Sequence, residues 1–158
     1  MLSESPVAQA VSEIAGTFSG LLLQPSDAGY DAARRVHNGM VNKRPALVAQ
    51  CRGVADVVDA IKLARGLGLE LSVRGGGHNV AGRAVVEGGV MIDLAGMKGI
   101  HVDARRRTVR SQGGATWADL NRETQLHGLA VTGGVVSTTG IAGLTIGGGS
   151  DGLWGNTG

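Results

Sequence analysis

Two glycine-rich segments and one histidine carry most of the chemistry available to this sequence. RGGGHN (Arg74 to Asn79) places Gly75, Gly76 and Gly77 directly before His78. TGGVVSTT (Thr132 to Thr139) places Gly133, Gly134 and Val135 ahead of the hydroxyls of Ser137, Thr138 and Thr139, and Gly143, Gly147, Gly148 and Gly149 come after them. Without a Cβ, main-chain N–H groups can converge on an anion, and several oriented dipoles can hold a diphosphate where no lysine is present. The hydroxyls add donors at no charge. The same glycines also suit tight turns and bulges, and spacing alone leaves both readings open. His78 stands on the first segment, although a lone histidine is more often an ordinary surface or core residue.

Other chemistries find no support. His37, His101 and His127 are far apart in sequence and show no ligand spacing, so no metal site is expected. The single cysteine, Cys51, excludes an internal disulfide and any multi-cysteine cluster. There is no nucleophile elbow and no pair of carboxylates arguable around a cleft. A formal GxGxxG at Gly147, Gly149 and Gly152 lacks the helix that a nicotinamide-dinucleotide site needs, since only six residues come after it. The residues after RGGGHN are strand-like, which removes that reading there as well.

Fifteen basic against thirteen acidic side chains leave +2, which argues against nucleic acid as a partner. The run Arg105 to Arg107 reads as a solvated hairpin tip. Leu129 to Gly149 is uncharged, but seven glycines and five Ser or Thr among its residues make it too polar to span a bilayer, so no membrane partner is expected. The first twenty residues hold Glu4 and Glu13 and no Lys or Arg, unlike the basic start of a secretory or transit peptide. With the lone thiol, that points to the cytoplasm.

The elements that must position these groups can be read from periodicity. At 158 residues and 42 % apolar composition the chain suits one packed domain. Glycine is the outlier at 28 residues, six of them in the fifteen from Gly75 to Gly89 and ten in the 26 from Gly133 to Gly158. Interleaved with Val, Ile and Leu, they read as ordered loops rather than linker. Val7, Val11, Ile14 and Phe18 predict a helix over residues 6 to 18, and Tyr30 to Val36 a short one. Ala46 to Cys51 predicts a buried strand. Val54, Val57, Val58 and Ile61 predict the apolar face of a helix, with Asp56, Asp59, Lys62 and Arg65 opposite. Leu69 to Arg74 then predicts a second strand, making a strand–helix–strand unit with a parallel pair. Gly89 to Leu94, Gly99 to Asp103 and Thr108 to Gln112 read as further strands. Thr116 and Asp119 have the spacing of an N-terminal cap for a helix ending near His127. Gly128 to Gly149 reads as short apolar pieces separated by glycine turns. The class is α+β.

The motifs RPALVAQC (Arg44 to Cys51), RGGGHNVAG, VMIDL, GGATWADL (Gly113 to Leu120) and TGGVVSTTGIAGLTIGGG (Thr132 to Gly149) together resemble bacterial FAD-linked oxidases. These form the berberine-bridge-enzyme-like branch of the vanillyl-alcohol-oxidase superfamily. The resemblance covers Asp27 to Gly149, with the motifs in order and at matching spacing. It implies the N-terminal part of a two-subdomain, PCMH-type FAD-binding domain that holds extended FAD between its halves. Arg74 to Asn79 matches the pyrophosphate loop, and His78 matches the histidine bonded covalently to the 8α-methyl of the flavin. Gly133 to Thr139 and Gly143 to Gly149 resemble the second wall of the FAD site. Members take a hydride from a small-molecule alcohol, amine or sugar and pass electrons to oxygen or another acceptor.

The resemblance implies three segments: a helical and extended stretch over 1–43, a partial FAD-binding domain over 44–149, and a divergent tail over 150–158. Relatives continue past the triple glycine into Gly-Trp-Leu, and often carry a second flavin-linked cysteine. At Ser150 this sequence turns instead to SDGLWGNTG, as a frameshift or a shortened reading frame would produce. Cys51 does not match the second attachment position. The expectation is an oxidoreductase portion that is not catalytically complete by itself, against two alternatives: a dinucleotide-binding module without catalysis, or a non-functional fragment with bare strand edges.

Overall fold

The computed structural model describes residues 5–148. Two short runs that are apolar at successive positions occupy the centre of its larger sheet. In β2 (Leu47–Gln50) the residues Leu47, Val48 and Ala49 are fully buried, and in β4 (Val90–Asp93) so are Val90, Met91 and Ile92. Burial on both faces is what an unbroken apolar run demands, and parallel pairing is where it is usually met. β2 pairs parallel with β4, and β4 parallel with β3 (Leu71–Arg74). A further strand, β1 (Leu21–Leu23), adds antiparallel to β2, giving the order β1-β2-β4-β3.

This order corrects two expectations. β2 and β3 flank α3 (Val54–Gly66) in sequence and run parallel, but they are not neighbours, because β4 enters between them. β1 comes directly after Gly20 in a stretch where no strand was expected. α1 (Pro6–Ile14) and α2 (Tyr30–Ala33) lie where helices were predicted, although both are shorter. Tyr30 and Ala33 pack with Val48, Val85 and Met91, so the N-terminal segment belongs to the same core as the sheet.

The buried face of α3 also differs from its apparent stripe. Val54 is 70 % and Val58 41 % exposed, while Asp56, Ala60, Leu63 and Ala64 face inward. The two alanines let the helix backbone approach the sheet, and Val57 and Ile61 pack at the margin. Asp56 is buried because it serves backbone donors. One carboxylate oxygen accepts from Ser19 N–H at 2.9 Å and the other from Arg52 N–H at 2.8 Å. Burial alone would raise its pKa, but these bonds outweigh that and hold the carboxyl below its ordinary value. The stability it contributes is therefore present above the ordinary carboxylate pKa and lost as pH falls through the lowered one. Asp56→Ala strands two N–H groups and is expected to cost about 2–3 kcal/mol in urea unfolding at pH 7, with the deficit shrinking in acid.

β5 (Ile100–Asp103) and β6 (Thr108–Ser111) form a separate antiparallel hairpin, with Arg105, Arg106 and Arg107 exposed at its tip. α4 (Trp117–Gln125) starts on a reciprocal capping box, in which Thr116 Oγ1 accepts from Asp119 N–H and the Asp119 carboxylate accepts from Thr116 N–H. The stretch after Gly128 is more regular than expected, since α5 (Ile141–Gly147) forms within it. Among the described residues no helix is long and apolar enough to cross a membrane.

Candidate functional site

β3 ends at Arg74, and its side chain turns back into the sheet. Arg74 Nη1 donates to the Ala33 carbonyl at 2.9 Å and pairs with Asp93 at 3.4 Å, while Gln50 donates to the same carboxylate oxygen at 3.1 Å. The backbone leaving this anchor is bare glycine. Gly77 adopts φ +72°, a conformation that side chains with a Cβ rarely take. Among the described residues, the N–H groups of Gly75, Gly76 and Gly77 donate to no protein acceptor.

The second glycine segment is bolted to the start of α4. Trp117 N–H donates to Thr139 O at 3.1 Å, Ala118 N–H to Ser137 O at 2.9 Å, and Ile141 N–H to Ala115 O at 3.0 Å. These bonds turn the carbonyls of the segment toward α4. The N–H groups of Ser137, Thr138 and Gly140 have no protein acceptor among the described residues. Gly133 and Gly134 lie against the Trp117 ring, where a Cβ on either would intrude.

The two segments meet backbone to backbone. A Cβ on Gly76 would strike Gly140 N and lie 2.7 Å from Gly140 Cα, and a Cβ on Gly140 would strike Gly76 in turn. They share a cleft of about 410 Å³, lined from one side by Gly75 to Asn79 and from the other by Thr139, Gly140, Gly143, Leu144 and Gly147. Val73, Val80 and Ala84 supply its apolar wall, and Arg83 is its charged side chain.

His78 joins the two walls. Its Nε2 lies 3.2 Å from Thr138 Oγ1 and its Nδ1 3.4 Å from Thr139 Oγ1. Its ring is stacked on His37, with centroids 4.1 Å apart and planes at 11°. Partial burial, then the nearby charge of His37, hold the His78 pKa below its ordinary value. The imidazole is therefore neutral at physiological pH and keeps one nitrogen lone pair.

Of the residues singled out in the sequence, Gly75, Gly76, Gly77, His78, Asn79, Thr139, Gly143 and Gly147 line this cleft together, and Thr138 reaches it through His78. Arg74 lies beneath the loop, its Nη1 shared between Ala33 O and Asp93 and its buried Nε without a partner among the described residues. Gly133 and Gly134 pack on Trp117, Val135 is 83 % exposed, Ser137 is exposed, and Gly148 ends α5 in a left-handed turn. Gly149 lies outside the described residues. Sequence reasoning missed Gly140, Arg83 and His37. Gly140 could have been found as the glycine closing the STTG run; nothing in the spacing marks the other two. Cys51 is buried, and burial first, then Asp56 and Asp93, push its thiol up to about 12, so it is no nucleophile at neutral pH.

A family profile described as a FAD binding domain covers residues 45–157. The chain belongs to this family.

Its relatives are FAD-linked oxidoreductases, and the cofactor of the family is FAD. The (R)-6-hydroxynicotine oxidase of Paenarthrobacter nicotinovorans is 38 % identical over 133 residues, 84 % of this chain and 29 % of the relative. A FAD-linked oxidoreductase of Aspergillus fumigatus is 33 % identical over 157 residues, 99 % of this chain and 33 % of the relative. The crystal structure of 6-hydroxy-D-nicotine oxidase from Arthrobacter nicotinovorans superposes with a TM-score of 0.79 at 38 % identity, covering 81 % of this chain and 28 % of that one. A berberine-bridge-enzyme-like protein of Physcomitrella patens shares the fold at TM-score 0.78 and 22 % identity, over 89 % of this chain and 30 % of that one. The chain thus spans about a third or less of the proteins it matches.

The site fits FAD on its own observations. Amides without protein acceptors, a seam at Gly76 and Gly140 with no room for a Cβ, one arginine, and a neutral imidazole at the junction suit a diphosphate attached to a flavin.

Proposed function

We propose that the cleft between Gly75–Asn79 and Thr138–Gly147 holds FAD, and that the protein is the flavin-binding portion of an oxidoreductase acting on a small organic molecule. The meeting of Gly76 with Gly140 carries this reading, because it turns two glycine segments, distant in sequence, into one surface of amide donors. The amides of Gly75, Gly76 and Gly77 on one wall, with those of Thr138 and Gly140 on the other, donate to the diphosphate. Arg83 balances its charge.

His78 would be the residue that tethers the flavin, through its 8α carbon, and so retains the cofactor. Bound FAD supplies a two-electron acceptor for a hydride from substrate. This chain's residues bind and orient. Thr138 and Thr139 hold the His78 ring at its two nitrogens, and Val73, Val80 and Ala84 line one side of the cleft.

Equilibrium binding tests the reading. FAD fluorescence should be quenched saturably by the chain, and inorganic pyrophosphate, which shares only the diphosphate, should compete. Quenching that pyrophosphate leaves unchanged would place the cofactor elsewhere.

A further inference from the structure

His37 lies outside both glycine segments, yet its ring lies flat against His78 at 4.1 Å. Three bonds make that placement a built feature. His37 N–H donates to Gly77 O at 3.0 Å, Asn38 Nδ2 donates to Val80 O at 2.9 Å, and Arg74 Nη1 donates to Ala33 O at 2.9 Å. Together they clamp the stretch after α2 onto the loop that carries His78.

We propose that His37 is the positioning residue for covalent flavin attachment: its stacked ring fixes the plane of the His78 imidazole. This rests on the flavin reading of the cleft. In attachment, one His78 nitrogen forms an N–C bond to the 8α carbon as one methyl C–H breaks. That hydrogen and the imidazole N–H hydrogen leave as protons, and the electron pair reduces the flavin's own ring, which takes up both protons. No outside oxidant enters this step. The step needs a lone pair on the attacking nitrogen, so it fails on an imidazolium.

Two stacked imidazoles cannot both be charged cheaply. The half-buried ring of His78 is a poor place for that charge, because burial strips the water that would solvate it. The other groups facing His78 do not reverse this. Thr138 and Thr139 on the facing segment are uncharged, Arg74 is held by Asp93, and Arg83, whose N–H donates to Asn79 Oδ1 beside His78, adds positive charge that also disfavours an imidazolium there. The nitrogen that attacks gives up its threonine hydroxyl. The other keeps its own, and the ring plane is then held by His37.

Two measurements on wild type, His37→Ala and His37→Phe test this. The first needs no cofactor: NMR titration of the His78 ring protons in the apo chain. His78 should titrate at higher pH in His37→Ala than in wild type, with His37→Phe between them. The second is the rate at which acid-precipitable flavin forms with FAD at pH 6. It should fall about tenfold in His37→Ala, as misplacement of a reacting group does, and be largely restored in His37→Phe, which keeps a flat ring. Equal His78 titration and equal attachment rates in wild type and His37→Ala would overturn the proposal. If the wild-type chain takes up no FAD, the reading of the cleft fails, and the titration still decides what His37 does to His78.

Discussion

His78→Ala is expected to remove all acid-precipitable flavin from the protein while leaving reversible FAD binding in place. The two effects separate because the residues differ in task. The diphosphate is held by amides of Gly75 to Gly77 and of the Thr138–Gly140 stretch, none of which depends on the imidazole. The covalent bond needs a nitrogen lone pair, and His78 has the only imidazole lining the cleft among the described residues. The thiol of Cys51 cannot substitute, being buried just past the end of β2 and raised to about 12. Loading each protein with FAD, precipitating in acid and reading flavin absorbance in pellet and supernatant gives both quantities. Wild type should colour the pellet and the variant only the supernatant. Because the His78 pKa is lowered, first by burial and then by His37, attachment in wild type should persist to lower pH than for an ordinary histidine. Flavin remaining in the pellet of His78→Ala would assign the bond to another residue.

The second large effect is expected from Gly76→Ala. A single methyl group there meets backbone, Gly140 N and Cα, and backbone has no rotamer by which to withdraw. The two walls must separate, straining the bonds from Trp117, Ala118 and Ile141 that hold the second segment to α4. Overpacking of this kind costs about 3 kcal/mol, which urea unfolding would read as a lower midpoint. Amides that must converge on one diphosphate would no longer do so, and FAD affinity should fall about a hundredfold, roughly the same free energy expressed in binding. Gly88→Ala, at a left-handed turn with open space around it, supplies the contrast. It should cost some stability through strain and leave FAD affinity unchanged.

The elements were legible where chemistry is local. Apolar runs such as Val90 to Leu94 mark the central strands, and the spacing of Thr116 and Asp119 marks the cap of α4. The face of α3 was not, because Asp56 is turned inward by a donor at Ser19, thirty-seven residues away, that no helical period reveals. The entry of β4 between β2 and β3 is likewise a long-range outcome. α5 was obscured by Gly143 and Gly147, which read as turns, although tertiary support at Gly140 and Ala115 carries a helix through them. For the site, the glycine segments and His78 stood out by composition. That they share one cleft did not, since only the folded backbone brings Gly76 to Gly140. His37 was passed over as an isolated histidine, and its stacking depends on the clamp after α2.

The most direct measurement is amide-resolved NMR of the chain titrated with FAD. Gly75, Gly76 and Gly77 should shift together with Thr138 and Gly140, at one common affinity, while Gly88 and Gly128 stay in place. Shifts confined to one glycine segment, or centred on the α1–α3 side of the sheet, would contradict it.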